Sequence, residues 1–152
     1  MPIQPGTKLG LYEVHEQIGA GAMGEVYKAS DPRLERPVAI KVLPLQFAQD
    51  LEVKQRFERE AQTIAGLNHP HICTVYDVGS QDGVNYLVME FLEGETLAAR
   101  LTRGPLEMEE ALKVAVAIAD ALDKAHRQGV THRDVKPSNI MLSPAGPKLL
   151  DF

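Results

Sequence analysis

The sequence has little cysteine and no long apolar run, and each scarcity excludes a class of protein. Cys73 is the only cysteine among 152 residues, so no disulfide can form within the chain. No apolar run reaches the roughly 20 residues that a membrane-spanning helix needs. The N-terminus lacks the basic start and the apolar stretch of a signal peptide. These absences predict a cytoplasmic protein without a membrane segment, in which Cys73 is a small core residue.

Positive charge is also scarce. The chain has 16 Lys and Arg against 21 Asp and Glu, which gives a formal net charge of −5. Because a net-acidic chain binds the phosphate backbone poorly, nucleic acid is not an expected partner. The hydrophobic content of 44% is sufficient for a packed core. The length fits one domain or part of a larger one.

The sequence pattern changes near residue 92. Before it, short segments alternate between apolar and polar residues, which predicts strands. A helix is predicted over 50–66, with Asp50 as its cap. After it, a long helix is predicted over 107–128, which Gly129 would end. The strand-like segments are residues 11–18, 25–29, 37–44, 74–78 and 85–91. The apolar stripe of the long helix comprises Leu112, Ala115, Val116, Ala119, Leu122 and Ala125.

Three glycines, Gly19, Gly21 and Gly24, follow the first strand. In a dinucleotide-binding fold the third glycine of this pattern opens a helix. Here residues 25–29 alternate like a strand and Pro32 would break a helix, so we interpret the glycines as a hairpin tip. Backbone N–H groups at such a tip can approach phosphates closely, because no Cβ intervenes. A flexible turn without a ligand is the alternative.

Two charged residues lie beside apolar segments. Lys41 ends the strand Val38-Ala39-Ile40-Lys41 and could point at phosphates under the glycine turn, or cover apolar surface with its stem. Glu60 lies on or beside the apolar stripe of helix 50–66. A carboxylate there needs a partner, and Lys41 is the natural candidate. A solvated glutamate fits the spacing equally well.

The segment 132–139 combines a carboxylate, two cations and an amide on one short loop. Asp134 can accept a proton from a substrate hydroxyl. Lys136 can neutralise charge on a transferring phosphoryl group, and Asn139 can bind Mg²⁺ through its carbonyl oxygen. Asp151, at the end of the last strand-like segment, can hold Mg²⁺ that bridges phosphates. A charged surface loop explains each residue of 132–139 singly but not the whole string.

The order of these motifs is more specific than any one of them. Gly-x-Gly-x-x-Gly-x-Val over 19–26, Val-Ala-Ile-Lys, a helix glutamate, His-Arg-Asp-x-Lys-x-x-Asn over 132–139 and a final Asp-Phe follow the order of protein kinases. The sequence resembles a bacterial eukaryotic-like Ser/Thr protein kinase. The resemblance covers about residues 11–152, the N-terminal part of the catalytic domain up to the Asp-Phe of Asp-Phe-Gly.

This resemblance implies an α+β protein-kinase-like fold. Residues 1–91 would form the N-lobe, with a five-stranded antiparallel sheet, the glycine-rich loop, the lysine strand and one main helix. Residues 92–152 would form the hinge and an incomplete helical C-lobe. Later parts of the family's domain would normally cover the Leu112 stripe, so we expect association through this uncovered C-lobe surface.

The resemblance also implies a role for individual residues. Lys41 would bind the α- and β-phosphates of ATP and be held by Glu60. Asp134 would be the catalytic base, and Lys136 is typical of Ser/Thr rather than tyrosine kinases. Asn139 and Asp151 would bind Mg²⁺. His132 resembles a member of the apolar spine that aligns active kinases. The other ATP-binding positions are Ile18, Gly19, Ala20, Gly21, Ala22, Met23, Gly24, Val26, Ala39, Met89, Glu90, Leu92 and Met141.

The implied function is transfer of a phosphoryl group from Mg–ATP to a Ser or Thr hydroxyl of a protein substrate, in bacterial signalling. Because the sequence stops at Asp-Phe, a non-catalytic ATP-binding or interaction fragment is the alternative. A dinucleotide-dependent oxidoreductase rests on the glycine triplet alone. We expect a cytoplasmic location, within a parent protein that a downstream segment could anchor to the membrane.

Overall fold

The computed structural model describes residues 3–21, 24–43 and 50–150, and of Ala20 and Gly21 it describes only the backbone. The chain divides into two compact units. Unit 1 comprises the described residues up to Ala65 together with Val75–Phe91. Unit 2 comprises Gly66–Thr74 and the described residues from Leu92 onward. The segment 66–74 therefore interrupts unit 1 in the sequence while packing with unit 2.

Unit 1 is built on an antiparallel sheet of six strands. The strands are β1 (Lys8–Leu9), β2 (Tyr12–Gly21), β3 (Gly24–Asp31), β4 (Arg36–Val42), β5 (Val75–Gln81) and β6 (Val84–Glu90). Their order across the sheet is β1-β2-β3-β4-β6-β5. Strands β2 to β6 confirm the five predicted strands. The sixth, β1, has only two residues, which is too short for an alternating pattern to reveal.

One face of this sheet carries the core of unit 1. Val14, Tyr27, Ile40 and Val88 are each at most 1% exposed. In β4, Val38, Ile40 and Val42 are buried on this face, so Lys41, half-buried between the last two, points to the opposite face. Each large apolar side chain buried in this way stabilises the sheet by roughly 1.5–3 kcal/mol. The core therefore fixes which residues the opposite face presents.

The helix of unit 1, α1, runs over Leu51–Ala65 and confirms the predicted helix. Asp50 caps it, because its Oδ1 accepts hydrogen bonds from the backbone N–H groups of Glu52 at 3.0 Å and Val53 at 3.3 Å. Ala61 is buried, whereas Glu60 is exposed. Since successive helical residues are about 100° apart, Glu60 falls at the edge of the stripe around Ala61 rather than within it.

Unit 2 combines two α-helices with a small antiparallel sheet. Its elements are β7 (Glu95–Thr96), α2 (Leu97–Leu101), α3 (Met108–Arg127), a 3-10 turn (Pro137–Asn139), β8 (Ile140–Ser143) and β9 (Gly146–Leu149). The sheet order is β7-β8-β9. The segment 66–74 joins the edge of β9, where Leu149 donates to the carbonyl of His71 at 2.8 Å and Cys73 donates to that of Leu149 at 3.0 Å. Cys73 is 8% exposed, which confirms it as a small core residue.

Helix α3 confirms the predicted long helix and its end. Gly129 has a φ of +79°, in the left-handed region that glycine tolerates. Its N–H donates to the carbonyl of His126 at 3.0 Å, and Val130 donates to that of Ala125 at 2.9 Å. These two bonds form a Schellman motif, which satisfies carbonyls that would otherwise lack partners.

The predicted apolar stripe of α3 is largely exposed, which confirms the expectation of an uncovered surface. The buried residues are Val114, Ala117, Ile118, Ala121 and Ala125. Of the predicted stripe, Leu112, Ala115, Val116 and Ala119 are exposed, Leu122 is half-buried and Ala125 is buried. The helix is apolar on two sides, so periodicity alone could not select the packed one. No helix in the described ranges is long and apolar enough to cross a membrane.

We expect the change Gly129→Ala to lower the free energy of unfolding by roughly 1–2 kcal/mol, the cost of a left-handed alanine. Urea unfolding followed by circular dichroism measures it. Gly19→Ala is the matched control, because an added Cβ would lie 3.8 Å from its nearest neighbour, in ordinary contact. Equal stability losses in the two variants would contradict the role of Gly129.

Candidate active site

The glycine-rich segment forms the tip of the β2–β3 hairpin. Gly19 pairs with Val26, and Gly21 pairs with Gly24 at the last described position of the hairpin. Gly24 has a φ of +119°, so a side chain there would be strained. Ile18 lies at a register shift between Gln17 and Gly19. Residues 22 and 23, also expected in this loop, lie outside the described residues. The interpretation of the glycines as a hairpin tip, rather than as the start of a helix, is thus confirmed.

Lys41 lies in a row of residues that crosses four strands. Gly19 is the partner of Val26, Val26 of Lys41, and Lys41 of Leu87. Partners on adjacent antiparallel strands point to the same side of a sheet. The register therefore places Gly19, Val26 and Lys41 side by side, on the face opposite the core.

A second row lies two residues away on that same face. Ala39 pairs with Lys28 on one side and with Met89 on the other. The Lys28 ammonium lies 4.7 Å from the centre of the Phe91 ring, within the range of a cation–π contact. Sequence reasoning gave Lys28 no role, although residues two apart on a strand, such as Val26 and Lys28, lie on the same face. We call these seven residues the Lys41 face: Gly19, Val26, Lys28, Ala39, Lys41, Leu87 and Met89.

Four expected nucleotide-binding residues lie apart from these rows. Glu60 is exposed on α1, and its pairing with Lys41 stays a prediction. Glu90 ends β6, and half-buried Leu92 begins the later part of unit 2. Met141 lies in β8 of unit 2, opposite Thr96 and Lys148. Their roles toward a nucleotide stay predictions as well.

In unit 2, Asn139 holds Asp134 from the side. Asn139 is 6% exposed, and its Nδ2 donates to the backbone carbonyl of Asp134 at 2.9 Å and to Oδ2 at 3.2 Å. The Asp134 side chain is itself 58% exposed. Lys136 Nζ lies 3.3 Å from the same Oδ2. Because both partners of this ion pair are more than half exposed, it adds little stability and serves mainly to place a positive charge beside the carboxylate.

His132 anchors the same loop through two further hydrogen bonds. It is 4% exposed, its Nδ1 accepts from the backbone N–H of Asp134 at 3.0 Å, and its Nε2 donates to the carbonyl of Leu150 at 2.6 Å. These bonds require the neutral ring with its proton on Nε2. Sequence reasoning placed His132 in an apolar spine and missed this polar role, which depends in part on the contact with Leu150, 18 residues away.

Arg133, between these two anchored residues, has a φ of +72°. A non-glycine residue in this region costs roughly 1–3 kcal/mol and persists only where its surroundings hold it. The bonds of His132 and of Asn139 to Asp134 provide that restraint. The loop is thus held in a strained conformation that presents the Asp134 carboxylate to solvent.

The oxygen donors of this loop suit a hard cation such as Mg²⁺. Because Nδ2 of Asn139 is bonded to Asp134, the carbonyl oxygen of the same amide points away from it. Asp151, the second expected ligand, lies outside the described residues. The described residues contain no group of three or more His, Cys, Asp or Glu suited to a metal. Mg²⁺ commonly binds one or two protein oxygens together with phosphates and water, so the donor set fits it.

Comparison with known families agrees with these observations. Residues 12–152 match the model of the protein kinase domain. The chain therefore belongs to the protein kinase family.

Its curated relatives are bacterial serine/threonine-protein kinases. PrkC of Bacillus subtilis is 44% identical over 145 residues, which cover 94% of this chain and 22% of PrkC. PknB of Mycobacterium tuberculosis is 44% identical over 147 residues, which cover 93% of this chain and 24% of PknB. The chain thus spans about a quarter or less of the length of these relatives.

Solved structures show the same fold. The crystal structure of the M. tuberculosis PknI kinase domain superposes with a TM-score of 0.89 at 38% identity. The match covers 99% of this chain and 61% of that one. The expected α+β protein-kinase fold with an incomplete C-lobe is confirmed, with six strands in place of five.

We expect His132→Phe to lower the free energy of unfolding by roughly 1–3 kcal/mol, because the N–H of Asp134 and the carbonyl of Leu150 both lose a partner. Urea unfolding measures the loss. His126→Phe is the matched control, since His126 is exposed on α3 and should change stability by less than about 0.5 kcal/mol. A His132→Phe variant as stable as the original chain would show that these bonds do not anchor the loop.

Proposed function

We propose that the chain carries the nucleotide-binding and phosphoryl-transfer residues of a Ser/Thr protein kinase. The proposed reaction moves the γ-phosphoryl group of Mg–ATP to a Ser or Thr hydroxyl of a protein. The observation that carries the proposal is Asp134, whose backbone is held by His132 and Asn139 while its carboxylate is 58% exposed. A fixed and accessible carboxylate is what a general base for a protein hydroxyl requires.

In the proposed reaction, Asp134 accepts the proton of the attacking hydroxyl. The hydroxyl oxygen forms a bond to the γ-phosphorus as the bond between that phosphorus and the β,γ-bridging oxygen breaks. Lys136, whose Nζ lies 3.3 Å from Oδ2 of Asp134, places a positive charge where the transferring group would gain negative charge. Asn139 keeps the carboxylate oriented throughout.

Mg²⁺ would be held by Asn139 and Asp151 and, when bound, would neutralise phosphate charge. Asn139 supports this assignment through its fixed amide, whose Nδ2 is engaged by Asp134. Asp151 is proposed from its place in the motif alone.

The Lys41 face is the proposed nucleotide-binding surface of unit 1. Its register aligns the glycine hairpin with Lys41, so that backbone N–H groups and an ammonium can meet phosphates on one side of the sheet. Val26 and half-buried Met89 add apolar surface next to Ala39, which suits an adenine ring. Backbone groups of Glu90, the last residue of β6, and of Leu92 would bind the adenine edge. The remaining expected contacts are Ile18, Ala20, Gly21, Ala22, Met23, Glu60 and Met141.

The preference for Ser and Thr rests on Lys136 and on the bacterial relatives, which are serine/threonine-protein kinases. The proposed partner is a protein that presents such a hydroxyl. Because ATP is the proposed phosphoryl donor, a cytoplasmic location accompanies the proposal.

We expect Lys41→Met to weaken binding of a non-hydrolysable ATP analogue with Mg²⁺ by roughly ten- to hundredfold, since a charge-assisted hydrogen bond is worth about 1.5–3 kcal/mol. Calorimetric titration of the 152-residue chain measures it. Lys113→Met is the control, because Lys113 is exposed on α3 and outside the proposed site. Equal affinity of all three proteins would refute the assignment of Lys41, and a folded chain without any binding would refute the nucleotide site.

We expect Asp134→Asn to lower kcat by about 10²- to 10⁴-fold while nucleotide affinity changes little, because only the proton acceptor is lost. Transfer of radiolabelled γ-phosphate to a generic Ser/Thr protein substrate, with nucleotide affinity measured in parallel, separates the two quantities. Unchanged turnover would exclude Asp134 as the base. Nucleotide binding by the original chain without any transfer would instead support the non-catalytic ATP-binding function.

A further inference from the structure

Unit 2 contains a groove that the proposed kinase chemistry does not use. It has a volume of about 610 Å³ and lies between helix α3 and the strand β9. Leu112, Val116 and Ala117 of α3 line one side, and Pro147 and His71 line the other. Asp134, Lys136 and Asn139 are not among the residues that line it.

The α3 side of the groove is apolar and accessible. Leu112 is 56% exposed and Val116 is 68% exposed. They are four residues apart, so they lie one above the other on the helix, about 6 Å along its axis. Met108, 75% exposed, continues this line by one more turn. An apolar line of this kind, bordered by polar residues, is typical of a protein-binding surface and matches the side-chain spacing of a second helix.

The border of the groove is negatively charged. Glu109, Lys113 and Asp120 form it, and Lys113 Nζ lies 3.7 Å from a carboxylate oxygen of Glu109, which offsets one negative charge. Asp120 is 66% exposed and accepts from His69 Nε2 at 2.9 Å. The Nδ1 of His69 accepts from the backbone N–H of His71 at 3.0 Å. This bond requires a neutral His69 ring, so Asp120 keeps its full negative charge.

We propose that this groove binds a basic amphipathic helix of a partner protein. The apolar side chains of that helix would lie against Leu112 and Val116, and its Lys or Arg residues would face Asp120 and Glu109. A second copy of this chain is disfavoured as the occupant, because the chain carries a net charge of −5. The inference rests on the groove alone and is independent of kinase activity.

The test is selection from a random 16-residue peptide library displayed on phage, with the 152-residue chain as bait. Peptides that bind the variant Leu112→Ser/Val116→Ser are removed by counter-selection. We expect the remaining sequences to carry apolar residues at i, i+4 spacing with Lys or Arg beside them. A synthetic selected peptide should bind the variant at least tenfold more weakly by fluorescence anisotropy.

Leu34→Ser/Leu51→Ser is the matched control variant, since these leucines are 60% and 67% exposed and lie outside the groove. It should bind the peptide as the original chain does. Binding should also weaken at least fivefold between 50 and 300 mM salt, a measurement on the original chain that does not depend on any variant folding.

Three results would overturn the proposal. In the first, the selected peptides lack basic residues or carry acidic ones. This result would indicate that the groove binds any apolar segment, including later parts of a kinase domain. In the second, no peptide is enriched that binds the original chain and not the variant Leu112→Ser/Val116→Ser. The third is self-association in sedimentation velocity that Leu112→Ser/Val116→Ser abolishes, which would assign the groove to a second copy of the chain.

Discussion

The backbone of Leu150 makes two hydrogen bonds on which the geometry around Asp134 depends. Its N–H donates to the carbonyl of Asn139 at 2.8 Å, and its carbonyl accepts from His132 at 2.6 Å. His132 and Asn139 are the two residues that hold Asp134. One peptide segment at the end of β9 therefore positions both sides of a strained loop. The carboxylate is restrained without being buried, because the restraints act on its backbone and on one of its oxygens.

Strand β9 is in turn held by the core of unit 2. Leu149, next to Leu150, is fully buried in a cluster with Leu97, Val114, Ile118 and Ile140. On its other side the strand pairs with the segment that includes His71 and Cys73. Burial of apolar side chains stabilises this part of unit 2, and the hydrogen bonds fix the positions of its polar atoms. The proposed catalytic carboxylate of Asp134 can therefore remain exposed to solvent while the residues that position it are buried.

Much of this arrangement follows from the sequence, and the exceptions have physical causes. Alternation in β2–β6, the Asp50 cap and Gly129 located the elements, because each signal is local. The Leu112 stripe of α3 is uncovered as expected, but the packed side of the helix was not located, since Leu112 and Val116 are as apolar as Val114 and Ile118. The polar role of His132 could not be found, because its partner Leu150 is 18 residues away. Strand β1 was missed because a strand of two residues is too short to show an alternating pattern.

The site was predicted unevenly for the same reason. The motif order brought Asp134, Lys136 and Asn139 together correctly as neighbours, because they lie within one short loop. Lys28 escaped notice, since its contact with Phe91 joins residues far apart in the chain. The predicted pairing of Lys41 with Glu60 depends on how a helix packs against a sheet. The spacing of residues in the helix fitted both a paired and a solvated Glu60, and it could not show that Glu60 is exposed.

The path of the chain between the units limits how it can be divided. Gly66–Thr74 packs with unit 2, although unit 1 contains the residues on both sides of it. Leu67 and Ile72 in this segment are 1% and 0% exposed. A piece cut after residue 91 would retain these two side chains without the rest of unit 2, and the complementary piece would lack the segment that pairs with β9. No single break in the polypeptide yields both units intact, so either unit in isolation requires a rejoined or circularly permuted gene.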